Sequence, residues 1–200
     1  ANDMAYVLAE GADGSIAAFA AEMNVQAQKL GMTGSHFVNP NGLFDHRHIT
    51  TARDIAILAS ALLREFPEYG HYFSQQYLTL GKRRLANRNS LLRQMKEADG
   101  MKTGFVCNSG FNLVATATHD GHRLAAVIFG ANSGKHRVDL AEMLLTDGFS
   151  RSDIARPKLQ SIPNVPTGAI VPSDMTQQVC KQKPVTLALS KDLAGWGISF

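Results

Sequence analysis

Apolar positions along the 200 residues recur with two different periods, in alternating blocks. The clearest helical period lies at 51–66, where Ile55, Leu58, Ala59, Leu62 and Leu63 form one stripe. Thr51 is placed to cap that helix, Asp54 follows as the short acid of a capping box, and Pro67 stops it. Residues 15–30 predict a second helix, capped by Ser15 and ended by Gly31, with Ile16, Phe19, Met23 and Leu30 near one face. Residues 3–10 predict a shorter helix with an acidic first turn. Residues 133–148 predict another, from a Ser133 cap through Val138, Leu140, Ala141, Leu144 and Leu145 to a stop at Gly148.

Three apolar runs of strand length interrupt these blocks, at 101–107, 111–118 and 122–130. Asp120-Gly121 joins the last two as a two-residue hairpin, because both positions tolerate positive φ. Together they predict an antiparallel meander. A smaller hairpin is expected at 76–86, turning at Gly81-Lys82, with a helical turn at 90–95. The stretch 33–48 carries the turn formers Asn39-Pro40 and Asn41-Gly42, so turns and not periodicity order it. From Phe149 the pattern breaks, and Pro157, Pro163, Pro166, Pro172 and Pro184 separate short apolar pieces. The expected division is one domain over 1–149 and a linker or peripheral tail over 150–200, turning apolar again at its end and leading toward a further small domain.

Composition narrows the function classes. A hydrophobic share of 44% with 18% charged residues is that of a globular chain. A net charge of +3 is too small to argue for nucleic acid. The basic stretch Lys82-Arg83-Arg84 with Arg88, Arg93 and Lys96 has little aromatic interleaving and reads as a solvated hairpin. His46 and His48 bracket Arg47 with no acid at helical spacing, so no zinc site is predicted, nor any cofactor. No apolar run reaches about 18 residues, the length that a spanning helix needs. Cys107 and Cys180 stand far apart without metal-ligand spacing, and both buried free thiols and a disulfide fit them.

The candidate chemistry sits at the head of the meander, in Lys102-Thr103-Gly104. A fixed cation, a hydroxyl donor and a position without Cβ together suit a strand edge that grips an anion and accepts an extended peptide by strand addition. Other motifs keep order with it: Ala1-Asn2-Asp3, Asn39-Pro40-Asn41-Gly42-Leu43, Thr50-Thr51-Ala52-Arg53-Asp54 and Gly110-Phe111-Asn112-Leu113-Val114. In that order they resemble the serine D-alanyl-D-alanine carboxypeptidases, the low-molecular-mass penicillin-binding proteins, over residues 1–149. The resemblance implies an α/β (α+β) fold of the penicillin-binding protein and β-lactamase kind, an antiparallel sheet flanked by helices, with its N-terminal part missing here.

It also implies roles. Asn2, the surviving part of a Ser-x-Asn triad, would hydrogen-bond the substrate's amide or carbonyl. Lys102 and Thr103, beside Gly104, would bind the terminal carboxylate of a peptidoglycan pentapeptide or of a β-lactam. Arg137 matches the family arginine that supports that carboxylate; a cation in the first turn of a helix opposes the helix dipole, a misfit that itself suggests function. No serine in the chain has lysine three residues later, so the family's nucleophile motif is not present, and the chain is expected to be the later part of a longer catalytic domain. Its partner would be the missing N-terminal segment, without which a sheet edge and face stay exposed. The implied function is D-alanyl-D-alanine carboxypeptidase action through a serine acyl-enzyme, in the periplasm or otherwise outside the cytoplasm, this chain alone being inactive. The rivals are a non-catalytic peptidoglycan-binding relative, or a β-lactamase or endopeptidase on the same fold. An extracytoplasmic setting favours a Cys107–Cys180 disulfide. The closing residues 195–200 faintly resemble the first strand of a sporulation-related peptidoglycan-binding repeat.

Overall fold

The computed structural model describes residues 2–151, 161–163 and 171–181. In chain order its elements are α1 (Asn2–Asp13), α2 (Ile16–Leu30), α3 (Ala52–Glu65), a 3-10 turn at Pro67–Tyr69, α4 (Gly70–Phe73), β1 (Tyr77–Leu80) and β2 (Arg83–Ala86). They continue with α5 (Leu91–Gln94), β3 (Ala98–Val106), β4 (Gly110–His119), β5 (His122–Ala131), α6 (Gly134–Ser150) and α7 (Thr176–Val179). The expected caps form: the backbone N–H groups of Ala18, Asp54 and His136 donate to the hydroxyls of Ser15, Thr51 and Ser133.

The meander is the centre of the molecule. β3, β4 and β5 pair antiparallel in that order, with Thr103 opposite Leu113 and Ala115 opposite Ala126. Asp120 and Gly121 turn the hairpin at positive φ, as their types allow. Leu113, Ala115 and Ala117 of β4 share the face that α6 covers with Val138, Ala141 and Leu145. The alanines carry little bulk, so the helix lies close on the sheet and these six residues are almost fully buried. A smaller cluster, Ala27, Met32 and Ile57, joins α2 to α3.

Gly148 does not end the last long helix. α6 continues to Ser150, and a Cβ at Gly148 would stand 2.8 Å from Leu124 Cδ1 of β5. The glycine serves close helix-to-sheet approach rather than a left-handed cap. The acid of the expected capping box also has another task. Asp54 is fully buried, and its Oδ2 accepts the Gly34 N–H and the Ser35 hydroxyl, both at 2.8 Å, so it ties down the loop before α3.

That loop is ordered by side chains, as its turn formers imply. Asn24 of α2 donates to the Phe37 carbonyl at 2.7 Å and accepts the Phe37 N–H at 2.8 Å. Asn39 accepts from Gly42 N–H and donates to the Leu43 carbonyl. His48 Nδ1 accepts the Val38 N–H at 3.2 Å, and its ring stands edge-on to Phe37.

The described parts of the tail touch the domain through hydrogen bonds and a disulfide. Arg53 Nε donates to the Ile162 carbonyl at 2.8 Å, and the Met175 N–H donates to the Asn108 carbonyl at 2.9 Å. Cys107 and Cys180 form a disulfide, with Cα atoms 5.8 Å apart, which fastens α7 to the turn after β3. The expected apolar end of the chain and its six-residue repeat likeness lie outside the described residues. Among the described residues β3 and β5 are both sheet edges, Phe105 and Phe129 stay half exposed, and α1 leaves Met4, Val7 and Leu8 open to solvent. No helix among them is long and apolar enough to cross a membrane.

Candidate active site

β3 brings Lys102, Thr103 and Gly104 to the edge of the sheet, where they form one wall of a cleft of about 1030 Å³. Asn2 and Asp3, in the first turn of α1, line the same cleft, as do Leu43 of the loop and Arg137 of α6. The five site residues expected from the sequence are thus gathered around one space, although they come from three elements up to 135 positions apart (137 − 2).

Lys102 is accessible to solvent, and its Nζ donates to the Thr103 carbonyl at 2.6 Å. It lies deep enough in the concave wall that desolvation lowers its pKa, helped by the charge of Arg137. Arg137 is only 6% exposed, although it stands in the first turn of its helix. Its guanidinium donates to the carbonyls of Gly104 at 3.1 Å and Asn112 at 3.2 Å, and to that of Arg88 at 3.3 Å. It thereby braces the Lys102–Gly104 strand from behind. Burial first, and then the charge of Arg88, lower its pKa too. Neither Lys102 nor Arg137 forms an ion pair with a carboxylate among the described residues. A cleft wall with two cations and no neutralising acid beside them among the described residues has a positive field that can attract an anion.

Two residues that sequence reasoning left without a role help to shape the wall. Asn112 faces Gly104 across the β3–β4 ladder, accepts the Gly130 N–H at 2.9 Å and donates to Ser109 Oγ at 2.8 Å. Phe105 packs against Phe111 with the rings tilted by 33° and their centroids 4.2 Å apart. Asn112 belongs to the quoted Gly110-Phe111-Asn112 run, so its motif was visible though its part was not. Phe105 had no signal beyond lying next to Gly104.

Comparison with known proteins agrees with this geometry. A family model of D-alanyl-D-alanine carboxypeptidases matches residues 1–133. The D-alanyl-D-alanine carboxypeptidase DacC of Escherichia coli is 40% identical over 149 residues, covering 74% of this chain and 37% of the relative. DacA of Haemophilus influenzae is 37% identical over 151 residues, covering 74% and 38%. The chain therefore spans less than two-fifths of the length of either. Among solved structures, penicillin-binding protein 5 of H. influenzae superposes with a TM-score of 0.71 at 36% identity, covering 74% of this chain and 44% of its own. Penicillin-binding protein D2 of Listeria monocytogenes, in a cefotaxime-bound form, reaches 0.69 at 35%, covering 74% and 61%. On the match over two-thirds of its length and on these identities, the chain belongs to the D-alanyl-D-alanine carboxypeptidase family.

Proposed function

We propose that this chain supplies the carboxylate-gripping wall of a serine D-alanyl-D-alanine carboxypeptidase, whose nucleophile comes from sequence outside these 200 residues. The observation that carries the reading is the pair of unneutralised cations, Lys102 and Arg137, on and behind a free strand edge. In this reading a peptidoglycan stem peptide lies along β3. Its terminal carboxylate meets the Lys102 ammonium and the Thr103 hydroxyl, and Gly104 leaves room for its backbone. Arg137 holds the strand's shape and adds positive field. Asn2, across the cleft, fixes the amide side of the scissile bond. A serine from the complementary segment then attacks the carbonyl, D-alanine leaves, and water hydrolyses the acyl ester. β-Lactams present the same carboxylate and take the same place.

The complementary segment has surfaces to meet. Met4, Val7 and Leu8 of α1 are exposed, and an apolar pocket of about 320 Å³ opens between α2 and α3, lined by Phe19, Met23, Leu30 and Leu58. Exposed apolar surface of this kind supports a partner segment from the same protein; the cell-wall substrate of the family supports a setting outside the cytoplasm. A D-alanyl-D-alanine endopeptidase of H. influenzae is also a relative, 32% identical over 122 residues, so cleavage of cross-links is the second reading.

The test is labelling with a fluorescent penicillin, read on a denaturing gel. The isolated chain stays unlabelled, a protein carrying this chain with its upstream segment labels, and Lys102→Ala in that protein loses most of the label. A labelled band from the isolated chain, or full acylation of Lys102→Ala, overturns the assignment.

A further inference from the structure

We propose that the β1–β2 hairpin is a peripheral membrane contact, pressing a leucine face against a bilayer rich in anionic phospholipid. The pairing register sets its two faces. Leu78 stands opposite Leu85 and Leu80 opposite Arg83 on one side, while Tyr77–Ala86 and Thr79–Arg84 lie on the other. The side holding Tyr77 is turned toward α5. Arg84 sits over the Tyr77 ring at 3.7 Å, and Arg93 of α5 approaches the same ring at 5.7 Å. The leucine side faces solvent, with Leu78 62%, Leu80 66% and Leu85 49% exposed. Only Tyr77 of the eight strand residues is half-buried, so the hairpin projects into solvent and its leucines join no core cluster among the described residues.

The base of the hairpin is firmly held, so the exposure belongs to a fixed structure. Asn87 N–H donates to the Gln76 carbonyl at 2.8 Å, Asn87 Nδ2 to the Gln75 carbonyl at 2.8 Å, and Gln76 Nε2 to the Leu92 carbonyl at 2.8 Å. Charge decides what the face meets. Arg83 stands with the leucines and Lys82 at the turn beside them, and residues 76–96 around them hold four more basic residues and not one Asp or Glu. None of the six forms an ion pair with a carboxylate among the described residues. A second copy of the chain would oppose like charge to like charge. A protein partner would need an interface of roughly 800 Å² on each side, far more than two four-residue strands present. A bilayer needs no shaped complement: leucines enter the acyl boundary while lysine and arginine stems run up to the headgroups. Anionic headgroups supply the counter-charge that the chain lacks.

The experiment is vesicle co-sedimentation of the 200-residue chain with mixed phosphatidylglycerol–phosphatidylcholine vesicles and with phosphatidylcholine alone. Binding should be at least about tenfold tighter to the anionic vesicles and should weaken with added salt. Two hairpin variants are compared with it, Leu78→Ser/Leu80→Ser and Lys82→Glu/Arg83→Glu, both at exposed positions. Each should lose most of the anionic binding while its thermal melt stays unchanged. Other apolar surfaces persist in the variants, so retained vesicle binding by both would overturn the proposal. Equal binding to neutral vesicles, no binding at all, or a hairpin-dependent dimer in sedimentation would do the same.

Discussion

The molecule holds two arginines in nearly buried positions and treats them in opposite ways. Arg53, at the start of α3, donates to Asp54 Oδ1 at 2.9 Å and to the Gly31 carbonyl at 3.0 Å, so its charge is cancelled where it stands. Arg137, at the start of α6, donates to the carbonyls of Gly104, Asn112 and Arg88 and lies 5.6 Å from the centre of the Phe111 ring, with no carboxylate partner among the described residues. Its buried Nε has no partner among the described residues. Desolvating a guanidinium is costly, and a chain that merely needed a brace could have paired it, as it pairs Arg53. Arg53 is neutralised where it orders a loop, and Arg137 is held by backbone carbonyls on the wall of the cleft.

Four changes probe that contrast. The largest effect belongs to Asp54→Ala. It removes the acceptor of the Gly34 N–H and the Ser35 hydroxyl and leaves Arg53 without its carboxylate, which costs about 3–5 kcal/mol for a broken buried pair. Urea denaturation should show the loss, together with increased proteolysis in the loop at 33–48. A small shift would mean that Arg53 is not a paired structural charge at all.

Lys102→Ala should leave stability nearly unchanged, because the side chain is accessible and bonds only its neighbour's carbonyl. In a protein completed with the upstream segment it should slow acylation by a β-lactam by roughly 30-fold or more, about 2 kcal/mol of lost charge pairing. Stopped-flow acylation rates decide it. Arg137→Met sharpens the contrast further. Relief of a buried unpaired charge offsets three lost hydrogen bonds, so stability should change by less than about 2 kcal/mol. Acylation should fall all the same. If Arg137→Met unfolds the chain as Asp54→Ala does, the two arginines are alike and the contrast fails.

Much of this was legible in the chain because it rested on local pattern. The caps at Ser15, Thr51 and Ser133, the turn at Asp120-Gly121 and the strand opening at Lys102 are each written within a few residues. Reading went astray where a residue's task lies across space. Gly148 is local grammar for a helix end, yet Leu124, 24 positions earlier (148 − 124), decides what it does. Asp54 reads as a capping acid, and nothing local shows that it also ties down Gly34 and Ser35. The leucines of the small hairpin fit an alternating strand, but the alternation does not show that they stay exposed while Arg84 and Arg93 gather at Tyr77 on the other side. The part of Arg137 was inferred from order within a family, and its burial came from packing that no local pattern records.

The smallest effect concerns His48, which extends the contrast to a group that stays neutral instead of being paired. Burial lowers its pKa below the ordinary value of 6.5; the Asp45 charge opposes that shift and His36 adds to it. Its Nδ1 accepts the Val38 N–H, a bond that the neutral ring makes and a protonated Nδ1 cannot. The unfolded chain therefore takes up a proton at this residue before the folded one does. Its contribution is fully present above about pH 6.5, declines as pH falls through that value, and is lost once pH passes below the lowered folded pKa. His48→Asn keeps an acceptor for Val38 and removes the titration. Between about pH 7.5 and pH 5.5 the melting temperature of the wild-type chain should fall more than that of the variant. The comparison cancels the other histidines and the carboxylates, which both proteins share. Parallel pH curves would mean that the ring accepts a proton as readily folded as unfolded, and that the loop owes its order to Asn24, Asn39 and Asp54 alone.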